Sequence, residues 1–181
     1  MQESTTLTPA QQSMSDLWDE HMRSEFETSS VEATLETMVE EPYVNHAPVM
    51  TGGVGLEQVK KFYAERFIPQ QPPENEITPI SRTIGSDRVV DELVYAFTHD
   101  IVMDWLLPGV PPTGRHIEVV MVVVVAFRDG KIESEHIYWD QATVLVQAGL
   151  IDPEGLPVSG VESTRKILDP ASVPSNGLMD S

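Results

Sequence analysis

The hydrophobic period of this chain changes once, and that change dictates what it can fold into. Up to the Pro69–Pro73 stretch, apolar side chains recur at helical spacing; from Ile77 to Asp140 they fall in extended, mostly alternating runs. Thr8-Pro9-Ala10-Gln11 supplies an N-cap, a first-turn proline and a capping-box glutamine, and Met14, Leu17, Trp18, His21 and Met22 make one face of the helix that follows. Ser29-x-x-Glu32 opens a short second helix carrying Val31, Leu35, Met38 and Val39, which Pro42 is expected to end. Residues 41–47 read as a short extended segment, Gly52, Gly53 and Gly55 as a turn, and Leu56, Val59, Phe62, Tyr63 and Phe67 as a third helix. Extended runs are expected over 77–84, 88–106, 115–127 and 131–140, joined by loops short enough to favour antiparallel neighbours. Helices first and a meander afterward is the order of an α+β domain whose helices cover one face of a sheet.

The 181 residues suffice for one domain, and 40% hydrophobic content can bury an ordinary core. Residues 1–7 read as a flexible N-terminal tail, 8–150 as the α+β domain, and 151–181 as a proline-bearing C-terminal extension, partly ordered. A formal net charge of −18 repels phosphate backbones and anionic headgroups, so no nucleic acid and no membrane partner is expected. The absence of Cys excludes disulfides, thiolate metal sites and cysteine nucleophiles. The polar N-terminus lacks the features of a signal peptide, and the longest apolar run, 119–127, is far short of the ~20 residues of a spanning helix, so a cytoplasmic location is expected. The five His residues show no H-x-x-x-H spacing, and no metal is expected.

Alternation along the long strand puts Leu93, Tyr95, Phe97, His99, Ile101, Met103 and Trp105 on one, apolar face. In the last strand Glu133 and Glu135 are expected to face water, which sends Ile132, Ser134, His136, Tyr138 and Asp140 inward. The valine-rich run between them is apolar on both faces, so a second subunit is expected to cover its outer side as a homodimer. A curved, helix-covered sheet with an apolar interior, entered by a His, a Tyr and an Asp from its last strand, describes a small-molecule pocket.

Three segments carry a resemblance: Leu106-Leu107-Pro108-Gly109-Val110-Pro111-Pro112-Thr113-Gly114-Arg115, Phe127-Arg128-Asp129-Gly130-Lys131-Ile132, and His136-Ile137-Tyr138-Trp139-Asp140. Together they resemble the SnoaL-like polyketide cyclases of the nuclear transport factor two-like superfamily. The resemblance implies a cone-shaped α+β barrel: a strongly bent antiparallel sheet covered by N-terminal helices around a deep pocket, commonly dimerised through the sheet's outer face. It implies cofactor-independent proton transfer next to a carbonyl on a hydrophobic oxygenated small molecule, as in aldol-type cyclisation, isomerisation or dehydration. By motif Asp140 matches the family's acid–base Asp and His99 its pocket His, while His136 stands where many relatives carry another residue. Asn45 and His46 lie near the pocket rim in relatives, and Trp18, His21, Tyr63, Tyr95, Met103, Trp105 and Tyr138 complete the expected substrate-binding set. The extension after Gly149 is similar to a subgroup labelled carboxymethylenebutenolidase, although the chain has neither Cys nor a G-x-S-x-G elbow. Two readings of Asp140 stay open, catalytic base or N-cap of the next helix, and His99 is either a site residue or a core histidine. A non-catalytic binding module and a hydrolase that activates water on a carboxylate pair are the alternative functions.

Overall fold

The computed structural model describes residues 6–179, so residues 1–5 of the expected tail, and 180–181, lie outside the described residues. Helix α1, Pro9–Phe26, starts where the capping box predicts: the Thr8 hydroxyl accepts from the Gln11 N–H, and the Gln11 carboxamide oxygen accepts from the Thr8 N–H. Helix α2, Val31–Glu36, is capped by Ser30 and is shorter than expected. Met38 and Val39 belong instead to strand β1, Met38–His46, and Pro42 lies inside that strand. It sits where the register of β1 on its neighbour shifts, an irregularity that tolerates a residue without an N–H.

Strand β2, Thr51–Val54, leads into helix α3, Leu56–Phe62; the chain then widens into a π-helical turn, Tyr63–Phe67, and tightens into a 3-10 turn, Ile68–Gln70. Four strands follow: β3 Asn75–Ile84, β4 Arg88–Thr98, β5 His116–Arg128 and β6 Lys131–Trp139. They form one six-stranded sheet in the order β2-β1-β6-β5-β4-β3. The sheet is antiparallel except where β1 runs parallel to β6, a correction to the all-antiparallel expectation, and its ends do not pair, so it is curled but unclosed.

The long strand expected to reach residue 106 leaves the sheet after Thr98. His99 and Arg115 close a loop, with the His99 N–H donating to the Arg115 carbonyl and the Gly114 N–H to the His99 carbonyl. Pro108, Pro111 and Pro112 inside that loop cannot donate to a ladder, so the segment turns rather than extends. Met103, Trp105, Leu106 and Leu107 are nevertheless buried, because the loop folds back on the core.

The last strand departs most from expectation. Phe127 pairs with Ile132 but Ala126 pairs with Ser134, so Glu133 is an extra residue without a partner on β5. Such a bulge inverts the alternation beyond it. Ile132 is inward as expected, but past the bulge Glu135, Ile137 and Trp139 point inward, while His136 and Tyr138 point out.

The indole N–H of Trp18 donates to Asp91, and Arg82 pairs with Asp91 through two 2.7 Å bonds and with Asp19 at 2.8 Å, tying α1 to β3 and β4. After β6 come helices α4, Gln141–Gln147, and α5, Glu162–Leu168. The Gln147 carboxamide exchanges two 2.9 Å bonds with the Glu118 backbone, and Thr164 donates to the Glu118 carbonyl, so part of the extension is seated on the start of β5.

Candidate active site

A cavity of about 50 Å³ lies between α1, the π-helical turn, Trp105 and the inner face of the sheet. Its sheet wall takes Val44 and His46 from β1, Ile77 from β3, Leu93 and Tyr95 from β4, Met121 and Val123 from β5, and Glu135 and Ile137 from β6. Residues of five strands meet around one small cavity only because the sheet is curled.

Four polar side chains cluster at this wall. His21 and Glu25 are one helical turn apart on the buried stripe of α1, Tyr63 enters from the π-helical turn, and Glu135 comes from β6 past the bulge. The Nε2 of His21 lies 3.1 Å from Glu25 Oε1 and 3.0 Å from Glu135 Oε1, and the Tyr63 hydroxyl donates to Glu135 at 3.2 Å. On the other side of the ring, His21 Nδ1 meets the Thr37 hydroxyl at 2.6 Å. That hydroxyl gives its hydrogen to the Thr34 carbonyl, so it accepts from His21 Nδ1–H. With Nδ1 protonated, Nε2 faces two carboxyl oxygens, an arrangement that needs at least one further proton among the three groups. The imidazolium proton fills that role.

The ionisation behaviour agrees. Burial works against a charged His21, but the carboxylates of Glu135 and Glu25 more than reverse it and push its pKa up to about 10. Burial raises the Glu25 carboxyl above its ordinary value, against the pull of His21. Burial and the two carboxylates hold the Tyr63 phenol well above its ordinary range, so it stays a neutral donor. His46 differs from His21: burial pulls it down to about 4, and its Nδ1–H donates to the Thr51 carbonyl at 3.3 Å. The cavity thus offers a neutral imidazole, a phenol donor and a carboxylate made basic by burial, with the His21 imidazolium behind the two glutamates. His21 Nε2 and one carboxylate oxygen from each of Glu25 and Glu135 all lie within 4.8 Å of one another, close enough to share a single cation.

Of the residues expected from sequence, Trp18, His46, Tyr63, Tyr95 and Trp105 line this cavity, and His21 touches it through the two glutamates. The rest lie elsewhere. Asp140 is exposed and caps α4: its Oδ1 accepts from the Ala142 N–H at 2.9 Å and its Oδ2 from the Thr143 hydroxyl at 2.9 Å. His99 is buried against the 99–115 loop, where the Thr113 N–H donates to its Nδ1. His136 packs edge-on against Tyr43 on the outer face, beside Asn45, and Tyr138 is 46% exposed on that face. Met103 is a core residue of the loop. Sequence reasoning assigned Glu135 to water and made no assignment for Glu25, yet both are only 3% exposed.

The curled, unclosed α+β sheet covered by helices is the fold of the nuclear transport factor two-like and ketosteroid isomerase-like proteins among its solved neighbours. Within that class the chain belongs to the SnoaL-like polyketide cyclase family, whose model matches residues 9–148. Among solved structures, a protein of Jannaschia sp. CCS1 assigned as a SnoaL-like polyketide cyclase is 20% identical, with a TM-score of 0.66 over 82% of this chain and 100% of that one. A protein of Xanthomonas campestris pv. campestris assigned as a polyketide cyclase is 16% identical, with a TM-score of 0.60 over 77% of this chain and 98% of its own. A hypothetical protein of Catenulispora acidiphila with a ketosteroid isomerase-like fold, in complex with trimethylamine, is 17% identical, with a TM-score of 0.54 over 75% and 94%. At these identities the likeness is one of fold. None of the curated proteins matches the chain at a significant level. Among the described residues no helix is long and apolar enough to cross a membrane.

Proposed function

We propose that this chain is an enzyme that moves a proton next to a carbonyl on an oxygenated, polyketide-like small molecule, with Glu25 as the base. Membership of a polyketide cyclase family supports a small-molecule cyclase-type function. The observation that carries the reading is the Glu25 carboxylate: it lines an apolar cavity, burial raises its pKa, and His21 at 3.1 Å holds it in place. A base must be poised near working pH, and burial acts in that direction. The Tyr63 hydroxyl, whose hydrogen goes to Glu135, is the donor that would turn to the oxygen on which enolate charge develops. Enolisation is the common first step of aldol closure, isomerisation and dehydration, so the assignment covers all three.

The test is deuterium exchange into 2-tetralone in D₂O, followed by proton NMR. Wild-type protein should exchange the α-protons above the buffer rate, and Glu25→Gln should lose that excess by on the order of 10²- to 10⁴-fold, the usual contribution of a positioned base. Undiminished exchange in a folded Glu25→Gln protein removes Glu25 from the mechanism. Exchange by wild type should rise with pH through an apparent pKa above that of a free carboxylate, because only the ionised carboxylate accepts the proton.

A further inference from the structure

The cavity walls combine two features that the proton-transfer reading leaves unused. Four aromatic rings of its lining pack against one another in a closed chain of contacts: Phe26 to Phe67 at 5.8 Å between ring centres, Phe67 to Trp105 at 5.0 Å, Trp105 to Tyr95 at 5.9 Å, and Tyr95 back to Phe26 at 6.3 Å. All four line the same cavity. Ring faces attract a cation held within about 6 Å of their centres, and more strongly once water is excluded.

The second feature is charge. The lining contains two carboxylates, Glu25 and Glu135, and no Lys or Arg. His21, behind them, is the single cation in contact with both. With both carboxyls ionised, one negative charge is left over in an apolar setting, and a bound cation beside them would offset it.

We propose that the cavity binds a small organic cation, a protonated or quaternary amine, boxed by Phe26, Phe67, Tyr95 and Trp105 and balanced by Glu25 and Glu135. This names the ligand class of the same cavity and rests on the proton-transfer reading only in taking that cavity as the site. An amine supplies the missing positive charge and offers apolar methyl or methylene surface to the rings. The small volume suits a compact head group. Ligands bearing a carboxylate near this end are disfavoured by both glutamates, which argues against the acid substrates that a carboxymethylenebutenolidase label implies.

Trp18 and Trp105 line the cavity, so tryptophan fluorescence reports occupancy, with calorimetry as a second readout. The probes are tetramethylammonium chloride and tert-butyl alcohol, an uncharged molecule of similar size, at constant ionic strength. Tetramethylammonium should saturate the signal in the millimolar range or tighter, and tert-butyl alcohol should bind at least about tenfold more weakly, as expected for a desolvated cation on aromatic faces. Phe67→Leu should weaken tetramethylammonium by about fivefold and leave the alcohol unchanged. Glu135→Gln should weaken only the cation. No saturable response to tetramethylammonium, equal binding of the two probes, or unweakened cation binding in both folded variants overturns the proposal. If neither variant folds, the two probes on wild type still decide. Ketone exchange without cation binding sinks this inference alone, and cation binding without exchange sinks only the proton-transfer reading.

Discussion

At Glu25 a carboxylate sits on the buried stripe of α1, seven residues after Trp18 and four after His21, whereas Asp140 spends its oxygens on the first turn of α4 in contact with water. The environment, not the functional group, separates the two. Asp140→Ala is expected to cost about 1 kcal/mol, the usual loss for an N-cap, and to leave ketone exchange at the wild-type rate; thermal melts and the NMR assay check both. His21 makes a second prediction. Its folded pKa of about 10 lies above the ordinary 6.5, so its stabilisation is complete below about pH 6.5 and is lost as pH rises through 10. The groups facing it are Glu25, Glu135 and Tyr63. Melting temperature should therefore fall across that window in wild type and fall much less in His21→Gln. A pH-independent wild-type melting temperature between 6.5 and 10 contradicts the buried imidazolium. The cluster was half legible: the helical spacing pointed His21 inward, and the same spacing places Glu25 one turn on, but an acid buried by a partner from β6 leaves no local mark.

At the scale of elements, the site depends on two local interruptions of regular structure. The bulge at Glu133 turns Glu135 inward, and the π-helical turn at Tyr63–Phe67 sets the phenol against it. Neither was legible, because alternation predicts faces only while the register holds. The turn expected at Gly52 and Gly53 falls instead at residues 47–50, and both glycines lie in β2, where the structure shows why glycine is needed at Gly52. Its φ is +138°, and a Cβ there would lie 2.0 Å from the Val44 carbonyl oxygen on the strand that carries His46. Gly52→Ala is expected to destabilise the protein by about 3 kcal/mol through strain and overpacking, and a denaturant midpoint equal to wild type refutes it. The early end of β4 follows from prolines placed well after the strand, whose effect on a segment several residues upstream is not a property of that segment's own pattern.

For the molecule as a whole, the outer face of β5 remains the open question of assembly. Val120, Val122 and Val124 are half-buried there while Tyr138 and Tyr43 stand exposed nearby, and α5 covers only the start of the strand. The expected homodimer thus stands as a proposal: sedimentation should give twice 20.1 kDa at micromolar concentration, and Val122→Glu should return the monomer mass. A monomeric wild type sinks it. What the sequence by itself determined was the α+β class, the capped first helix, the inward faces of α1 and β4 and the family, because caps, periodicity and turn residues act over a few neighbours. Tertiary structure alone decided which acids entered the cavity. Glu25 and Glu135 are 110 residues apart and became one site only when the sheet curled, a bulge shifted its register, and both carboxyls met the same imidazole.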